Sequence, residues 1–276
     1  HTPSNPAFQD MIESKIYILE KILGKLCFPS FHEVWQYENK NRAHYLYTYY
    51  NLPSIPTYVT HSKSESYELL DKINYPFISK ATISAGSCGV SKIETKKQAF
   101  RMVEKVFAKN GLKSQFPYLN QKDYLYVQEY IEDATFDLRI MLVGNMAFGY
   151  YRYPNKGDFR ASGAGNTVKT SIPVSAIKLA VDIRNKLKSR QLGVDLLYSK
   201  KRKQYYIIET SLFNQIDTPV QLEVDGKAGY YDISNIDNIT FKEGKFWIPE
   251  LLIKQIITEW AFNQKKVLLK ETSLDL

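Results

Sequence analysis

The sequence predicts an α+β fold in which helices and strands are mixed along the chain and the strands pair mainly antiparallel. Apolar residues recur at helical spacing over residues 7–26, which indicates an amphipathic helix. Two strand-like runs meet at Gly144-Asn145, a pair typical of a tight hairpin turn. Two further strand-like runs, 193–198 and 204–210, are separated by a short lysine-rich turn. Strands joined in this way pair antiparallel, so we expect an α+β arrangement and not a doubly wound parallel sheet.

The first half of the chain predicts a helix-rich start followed by short strands. Pro29 is expected to end the first helix, and a second helix is expected over 39–50. Pro53 and Pro56 then force an extended connector, because a residue before proline disfavours the helical region. The other expected elements of this half are a strand at Tyr58-Val59, a helix over 64–70, strands over 75–80 and 90–93, a helix from the capping residue Thr95 to about Lys109, an irregular polar segment over 110–123 and a strand over 124–130.

The second half predicts hairpins around a single long helix. Besides the two strands at 193–198 and 204–210, the expected elements are a hairpin of 136–143 and 146–153, a glycine-rich loop over 154–170, a helix over 175–189, a loop-rich segment over 213–245 and a final helix over about 249–264. The chain has no internal repeat and no low-complexity linker, so we expect subdomains that share a core.

Composition limits the classes of function. The chain has 276 residues, 44% of them hydrophobic, which is enough for a large core. No run of 18 or more apolar residues appears, so no membrane span is expected. Two cysteines, Cys27 and Cys88, give no disulfide framework, and we expect a cytoplasmic location. The net charge of +8 suits an anionic partner. The basic run at 200–203 lacks the stacking aromatics of an RNA-binding sheet, so nucleic acid is not expected.

A loop of small residues over 84–89 follows Lys80 at the end of a strand, and it contains Gly86, Ser87 and Gly89. Small residues let backbone N–H groups approach phosphate oxygens, and the lysine adds a point charge. The loop is not a Walker loop, because no Gly-Lys-Ser/Thr opens a helix. Glycine loops after strands are common, so the residues alone favour an ordinary loop over a phosphate cradle.

The strand end Gln128-Glu129-Tyr130-Ile131 leads into an acidic turn. A strand end that opens into a polar turn can offer backbone groups to the edge of an adenine ring. A plain strand terminus with solvated acids explains the same residues, and the residues alone favour this second interpretation.

Arg152 and Arg160 flank a short segment, Lys156-Gly157-Asp158, before a glycine-rich bend. The planar guanidinium of arginine grips phosphate or carboxylate with two parallel hydrogen bonds. Two arginines in a glycine loop therefore favour an anion-binding role over ordinary surface charge.

Asp195 and Glu209 lie inside apolar strands, where an unpaired carboxylate is costly to bury. A hairpin that turns near Lys201 and Arg202 brings these two acids opposite each other. Like charges side by side destabilise a sheet unless a cation lies between them. This pattern predicts a divalent metal site, and the alternative is a buried pairing of the acids with arginine or lysine.

With its motifs in this order, the chain resembles the ATP-grasp superfamily, notably ligases of the ribosomal-protein glutamate-ligase type, from about residue 28 to 217. The segments FPSFHEVWQYENK at 28–40 and DFRASGAG at 158–165 are also similar to ATP-grasp proteins found with bacterial surface-polysaccharide genes. The resemblance implies two α+β subdomains that clasp ATP between them. The implied division is a helical segment at 1–35, N-terminal and lid subdomains at 36–130 and a C-terminal subdomain with the metal site at 131–276.

The resemblance also implies a role for each candidate residue. The nucleotide-contacting residues are Lys40, Lys80, the loop residues Gly86, Ser87 and Gly89, the hinge Gln128, Glu129, Tyr130 and Ile131 that holds adenine, and the ribose-side acid Asp137. The catalytic residues that face the γ-phosphate and the acyl phosphate are Arg152 and Arg160. The Mg²⁺ ligands are Asp195, Glu209 and Ser211.

One departure from the family pattern concerns the metal. Family ligases usually show Glu-x-Asn where this chain has Glu209-Thr210-Ser211. A serine hydroxyl is a weaker ligand than an amide oxygen, and Asn214 is the alternative third ligand. We expect one or two Mg²⁺ ions, with Mn²⁺ as a substitute.

The expected function is ATP-dependent amide formation between a carboxylate and an amine through an acyl phosphate. The polysaccharide-type resemblance suggests a uronic acid of a surface glycan or its precursor as the carboxylate. The alternatives are an ATP-grasp kinase of a small molecule or glycan and a nucleotide-binding module without catalysis. The expected partners are these substrates, and a homodimer is one assembly that the sequence allows.

Overall fold

The computed structural model describes residues 5–83, 89–113, 120–212 and 223–272. Its helices are α1 (Pro6–Tyr17), α2 (Phe31–Gln36), α3 (Lys40–Tyr49), α4 (Lys63–Lys72), α5 (Lys96–Val106), α6 (Val174–Lys186) and α7 (Ile248–Thr272), and a π-helical turn (Ile18–Ile22) continues α1. Its strands are β1 (Thr57–Thr60), β2 (Phe77–Lys80), β3 (Val90–Ile93), β4 (Leu112–Lys113), β5 (Asn120–Gln121), β6 (Leu125–Glu129), β7 (Asp137–Val143), β8 (Met146–Tyr153), β9 (Asn166–Val168), β10 (Gln191–Ser199), β11 (Gln204–Ser211), β12 (Glu223–Val224), β13 (Lys227–Asp232) and β14 (Thr240–Glu243).

The smaller sheet has the strand order β1-β6-β2-β3, and each neighbouring pair is antiparallel. Helices α4 and α5 cover one face of it. The core between these layers includes Leu70, Phe77, Val103 and Leu125, all almost fully buried. A capping box at Thr95, in which its side chain and that of Gln98 each accept a backbone N–H, starts α5 at the expected place.

The larger sheet has the order β11-β10-β7-β8-β13-β12, with β14 paired to β13 and β9 paired to β8. The hairpin β7–β8 turns at Gly144-Asn145, as the sequence predicts. Alternation along β7 and β10 buries Leu138, Ile140 and Val194 on one face, where α6 packs. The same alternation turns the intervening residues to the opposite face, which forms the floor of a cleft.

Close approach of two backbones explains a glycine on β8. A Cβ built on Gly149 would lie 2.1 Å from the carbonyl oxygen of Arg139 on β7. Any side chain at residue 149 would therefore push apart the two strands that form the centre of the larger sheet.

The N-terminal segment is tied to the larger sheet by one buried carboxylate. The Glu33 side chain, which is fully buried, accepts hydrogen bonds from the backbone N–H of Ser30 (2.8 Å) and of Arg190 (2.8 Å) and from the hydroxyl of Ser189 (3.0 Å). The Arg190 guanidinium also pairs with Glu259 on α7, with Nε–Oε2 at 2.7 Å. One carboxylate thus both caps α2 and joins it to the start of β10.

The structure confirms the α+β class and corrects several element predictions. The first helix does not continue to residue 26, because Gly24 takes a left-handed conformation (φ 62°) just after the π-helical turn. Helix α2 was not predicted. The segment 110–123, expected to be irregular, contains β4 and β5. The segment 213–245, expected to be loop-rich, contains β12, β13 and β14 in its described part, 223–245. The last helix, α7, extends eight residues further than expected.

Helix α3 lies inside the predicted 36–130 segment but packs on the larger sheet, since Tyr47 and the following Leu52 belong to the core under α6. The proposed division of the chain at residues 35 and 130 stays a prediction. Across the described ranges, every helix is too short or too polar to cross a membrane.

Candidate active site

A cleft of about 600 Å³ lies between the two sheets, and residues of both line it. The candidate residues that it brings together are Lys40, Lys80, Gln128, Glu129, Tyr130, Ile131, Asp137, Arg160, Asp195, Glu209 and Ser211. These residues come from seven separate stretches of the chain. Gly89 is described next to the cleft-lining Val90, whereas Gly86, Ser87 and Asn214 lie outside the described residues.

The floor of the cleft carries two aspartates and two arginines in one hydrogen-bonded cluster. Asp195 on β10 is the register partner of Arg139 on β7, and Asp137 is the partner of Arg152 on β8. Arg139 donates to both oxygens of Asp195, Nε to Oδ1 at 2.7 Å and Nη2 to Oδ2 at 2.9 Å. Arg152 donates from Nη2 to Asp137 Oδ2 at 2.6 Å and to Asp195 Oδ2 at 2.7 Å. The four side chains neutralise each other, which makes their burial tolerable.

The pKa values of the two aspartates are shifted in opposite directions. Burial, followed by the charge of Asp195, raises the pKa of Asp137 to about 7. Asp195 is buried as well, but the guanidinium groups of Arg139 and Arg152 outweigh that burial and hold its pKa below the ordinary value. Asp137 is therefore the member of the cluster that takes up a proton first as the pH falls.

A β-bulge in β11 decides which of its residues face the cleft. The register passes from Asp195 opposite Glu209 directly to Leu196 opposite Ile207, so Ile208 is an extra residue on β11. Ile207 is fully buried in the core under α6, while Ile208 and Glu209 both line the cleft. The predicted opposition of Asp195 and Glu209 is confirmed.

Lys80 of the smaller sheet and Lys40 of α3 add positive charge to the cleft. Lys80, at the end of β2, is buried, and burial together with the nearby charge of Lys40 lowers its pKa to about 8. Lys40 begins α3, and its backbone N–H donates to the carbonyl of Thr82 at 2.9 Å. Two cationic side chains that line the same cleft suit a polyanionic ligand.

The strand end 128–131 forms one wall of the cleft and is held by the turn of the β10–β11 hairpin. Arg202 in that turn pairs with the carboxylate of Glu129, with Nη1–Oε2 at 3.0 Å. The backbone N–H of Lys201 donates to Asp133 at 2.6 Å. The basic run, interpreted as a solvated turn, thus also anchors the wall next to the strands that carry Asp195 and Glu209.

The two predicted arginines occupy different positions. Arg160 lines the cleft, and its side chain pairs with Asp158 in the same loop (Nη2–Oδ2, 2.9 Å). Phe159 of this loop packs edge-to-face on Tyr130, with ring centroids 6.2 Å apart. Arg152 is buried in the aspartate–arginine cluster, whereas Arg139 is one of the described residues that line the cleft. Contact between Arg152 and a phosphate stays a prediction.

Sequence reasoning missed Arg139 and Glu38 as cleft residues. Arg139 follows Asp137 by two positions in a strand, and this alternation by itself places both side chains on one face. Glu38 lines the cleft in a left-handed conformation (φ 50°) and accepts a hydrogen bond from the hydroxyl of Tyr37 at 2.8 Å. No sequence pattern signals that conformation for a glutamate.

The donor set fits a divalent cation. Asp195 and Glu209 are carboxylates that face each other on the cleft side, and hard cations such as Mg²⁺ prefer oxygen ligands. Ser211 adds a hydroxyl to the same face. Within the described ranges, no three acidic, histidine or cysteine side chains form a cluster that could hold a metal by itself. A site with two protein carboxylates is typical of Mg²⁺ held jointly with substrate phosphates.

A family model described as the RimK-like ATP-grasp domain matches residues 37–227. The chain belongs to this RimK-like ATP-grasp family. The matched range begins at Tyr37, which is the first of the described residues along the chain that line the cleft, and it includes every strand from β1 to β12. The α+β fold predicted from the resemblance is therefore confirmed as an ATP-grasp fold.

Several proteins are similar to this ATP-grasp chain. It is 23% identical over 216 residues to the alpha-aminoadipate–LysW ligase LysX of Saccharolobus solfataricus, which covers 77% of this chain and 69% of the relative. The ATP-grasp ligase PsnB, solved with a precursor peptide and AMPPNP, shares the fold at 13% identity and a TM-score of 0.53, covering 76% of this chain and 62% of that one. The biotin carboxylase domain of the Hydrogenobacter thermophilus 2-oxoglutarate carboxylase, solved with MgADP, shares it at 14% identity and a TM-score of 0.53, covering 77% and 46%. The chain thus spans less than two thirds of both solved structures.

Proposed function

We propose that the chain is an ATP-dependent carboxylate–amine ligase that works through an acyl phosphate. The observation that carries this proposal is the placement of Asp195 and Glu209 face to face below the buried Lys80, with Arg139 and Arg160 in the same cleft. Oxygen ligands for a cation and several positive side chains therefore surround one space. Membership of the RimK-like ATP-grasp family supports the binding of ATP in this space.

The nucleotide is held by both sheets in this proposal. Lys40 and Lys80 contact the phosphates, and the backbone of the strand end 128–131 binds the adenine edge. Asp137 lies on the ribose side of the cleft floor. Phe159, which already packs on Tyr130, closes the cleft over the base. Such closure keeps water away from a reactive acyl phosphate.

In this proposal Asp195 and Glu209 would hold the divalent cation, with Ser211 as the third protein ligand. When bound, the ion neutralises charge on the transferred phosphoryl group. Asp195 can take part because Arg139 and Arg152 keep it ionised, although they also occupy its oxygens. We expect Arg139 to turn from Asp195 toward the phosphates when the nucleotide binds.

The reaction requires two anions to meet. A carboxylate oxygen attacks the γ-phosphorus, and the bond to ADP breaks. The amine then attacks the acyl carbon, loses its proton, and inorganic phosphate leaves. Arg160 and Arg139 bind the transferred group and the carboxylate, since guanidinium groups stabilise the charge of such transition states.

For the substrates, we propose a uronic acid of a surface glycan or its precursor as the carboxylate and an amino acid or other amine as the acceptor. The resemblance of segments 28–40 and 158–165 to polysaccharide-associated ATP-grasp proteins and the net charge of +8 support this choice. LysX is named as a ligase of alpha-aminoadipate, an amino acid, and LysW, so amino-acid carboxylates belong in the same test. A cytoplasmic location and a homodimer remain predictions.

The proposal is tested by incubating the chain with Mg-ATP, a panel of uronic and amino acids and a panel of amines, followed by mass spectrometry. A ligase gives ADP, free phosphate and an amide, and hydroxylamine in place of the amine traps the acyl phosphate as a hydroxamate. A stable phosphorylated product would instead indicate a kinase. Binding of ATP without turnover across both panels would indicate a nucleotide-binding module.

A further inference from the structure

The bulge at Ile208 sets the register of β11 against β10. Without the bulge, and with Leu196 still opposite Ile207, residue 208 would face Asp195 and Glu209 would face Val194. Glu209 would then lie on the core side of the sheet under α6 and α3, and Thr210 would face the cleft. The extra residue therefore determines that Glu209, and not Ile208, lies opposite Asp195 at the proposed metal position.

A partly buried side-chain hydrogen bond joins α3 to Thr210, the residue between the two proposed ligands Glu209 and Ser211. The hydroxyl of Tyr47 and Oγ1 of Thr210 are 2.7 Å apart. Tyr47 is buried within the core of the larger sheet, and burial raises the pKa of its phenol far above the ordinary value, so the hydroxyl stays protonated. Thr210 can make this contact only while it faces the core side, which is the orientation that turns Glu209 and Ser211 to the cleft.

The connector before β1 holds the other side of the bulge. The backbone N–H of Ile207 donates to the carbonyl of Pro53 at 2.9 Å, and the N–H of Ile55 donates to the carbonyl of Ile207 at 3.4 Å. Helix α3 and the connector that follows it thus hold Thr210 and Ile207, and the bulged pair Ile208–Glu209 lies between these two residues.

We propose that Tyr47 is a positioning residue for the divalent metal: through Thr210 it fixes the bulged register of β11 that presents Glu209 and Ser211 to the ion. This inference rests on the proposed metal site. Loss of the hydroxyl removes the hydrogen bond that holds the Thr210 side chain on the core side, so the orientation with Glu209 in the cleft becomes less favoured. The nucleotide contacts from Lys40, Lys80 and the strand end 128–131 do not depend on this register.

The test is a titration of the full chain with Mn²⁺ in the presence of saturating AMPPNP, with free Mn²⁺ followed by electron paramagnetic resonance. Tyr47→Phe and Thr210→Val each weaken Mn²⁺ binding by roughly 3- to 10-fold, the range expected for one net hydrogen bond. The double variant is no weaker than either single variant, because both remove the same bond. Thr210→Ser keeps the hydroxyl and binds Mn²⁺ as the unaltered chain does.

Two controls separate a positioning role from a loss of structure. Tyr49→Phe removes a hydroxyl from an exposed tyrosine on the same helix and leaves Mn²⁺ affinity unchanged. AMPPNP affinity measured in EDTA stays the same in Tyr47→Phe, since only the metal ligands have moved. Equal weakening with and without metal would overturn the inference in favour of a general packing role.

The same titration distinguishes failure of this inference from failure of the proposed metal site. If Glu209→Gln loses Mn²⁺ binding while Tyr47→Phe retains it at full affinity, the metal site stands and the positioning role is refuted. If Glu209→Gln also binds Mn²⁺ like the unaltered chain, the metal assignment and the inference are both overturned.

Discussion

The guanidinium of Arg139 and the carboxylate of Asp195 face each other across neighbouring strands and form two parallel hydrogen bonds of 2.7 and 2.9 Å. The same carboxylate is register partner to Glu209 on its other side. Asp195 therefore lies between the guanidinium of Arg139 and the position where a divalent ion would bind. The alternative interpretation from the sequence, pairing with arginine, holds for Asp195, and it coexists with the opposition of the two acids.

Arg139→Ala should destabilise the fold by about 3 kcal/mol, because it leaves a buried carboxylate with only part of its charge compensation. Urea unfolding measures this loss. Asp195→Asn removes the buried charge as well, so the double variant should lose clearly less than the sum of the two single variants. Strictly additive losses would show that the two side chains do not interact in solution.

Lys80 should make nucleotide affinity depend on pH. Its pKa is about 8, so the side chain is charged at pH 7 and loses its proton as the pH rises. Phosphates bind the charged form, and the dissociation constant for AMPPNP in EDTA should therefore rise by about 5- to 10-fold between pH 7.5 and 9.

Lys80→Arg supplies the matched control, because a guanidinium keeps its charge throughout this range. Its affinity should not change between pH 7.5 and 9. If the AMPPNP affinity of the unaltered chain is equally independent of pH, the result would contradict either the placement of Lys80 against the phosphates or its low pKa.

Gly149→Ala should destabilise the chain by about 3 kcal/mol or more, because the new Cβ would meet the Arg139 carbonyl oxygen at 2.1 Å. Gly226→Ala is the comparison: this glycine has a φ of 76° and open space around it, so only the left-handed conformation costs about 1 kcal/mol. Chemical unfolding of both variants gives the difference. Equal losses would refute the close approach of β7 and β8.

Glu33→Ala should cost about 3–5 kcal/mol, because the backbone N–H groups of Ser30 and Arg190 and the Ser189 hydroxyl all lose a buried acceptor. Glu250→Ala on α7, which removes an exposed pair with Lys254, should change stability by less than about 0.5 kcal/mol. The thermal and urea unfolding curves of the two variants decide this. A small effect at Glu33 would mean that the N-terminal segment is not coupled to the larger sheet.

Much of the fold follows from local patterns in the sequence. Thr95 caps α5 as expected, α3 begins next to Asn39 within the range expected for the second helix, and Gly144-Asn145 turns the β7–β8 hairpin. Short strands such as β12 and β14 were missed because their pairing partner, β13, is itself a short strand of mixed polarity. The stability of such strands comes from tertiary contacts and not from local preference.

The candidate site was predictable where one strand or one hairpin determines it. The opposition of Asp195 and Glu209 follows from a turn between two apolar runs, and the structure confirms it. The bulge at Ile208 and the approach of Tyr47 to Thr210 depend on packing between distant segments, which no local pattern encodes. Arg139 was passed over although its alternation with Asp137 along one strand places both on the same face, and the burial of Arg152 between Asp137 and Asp195 depends on the pairing of three strands.

Diffraction from crystals grown with AMPPNP and Mn²⁺, collected at the manganese absorption edge, tests the central claim most directly. We predict an anomalous peak within about 2.0–2.4 Å of carboxylate oxygens from both Asp195 and Glu209 and in contact with the β- and γ-phosphates, and its loss in Glu209→Gln. A nucleotide bound without a peak between these two carboxylates, or a cleft left empty at saturating nucleotide, would contradict the account.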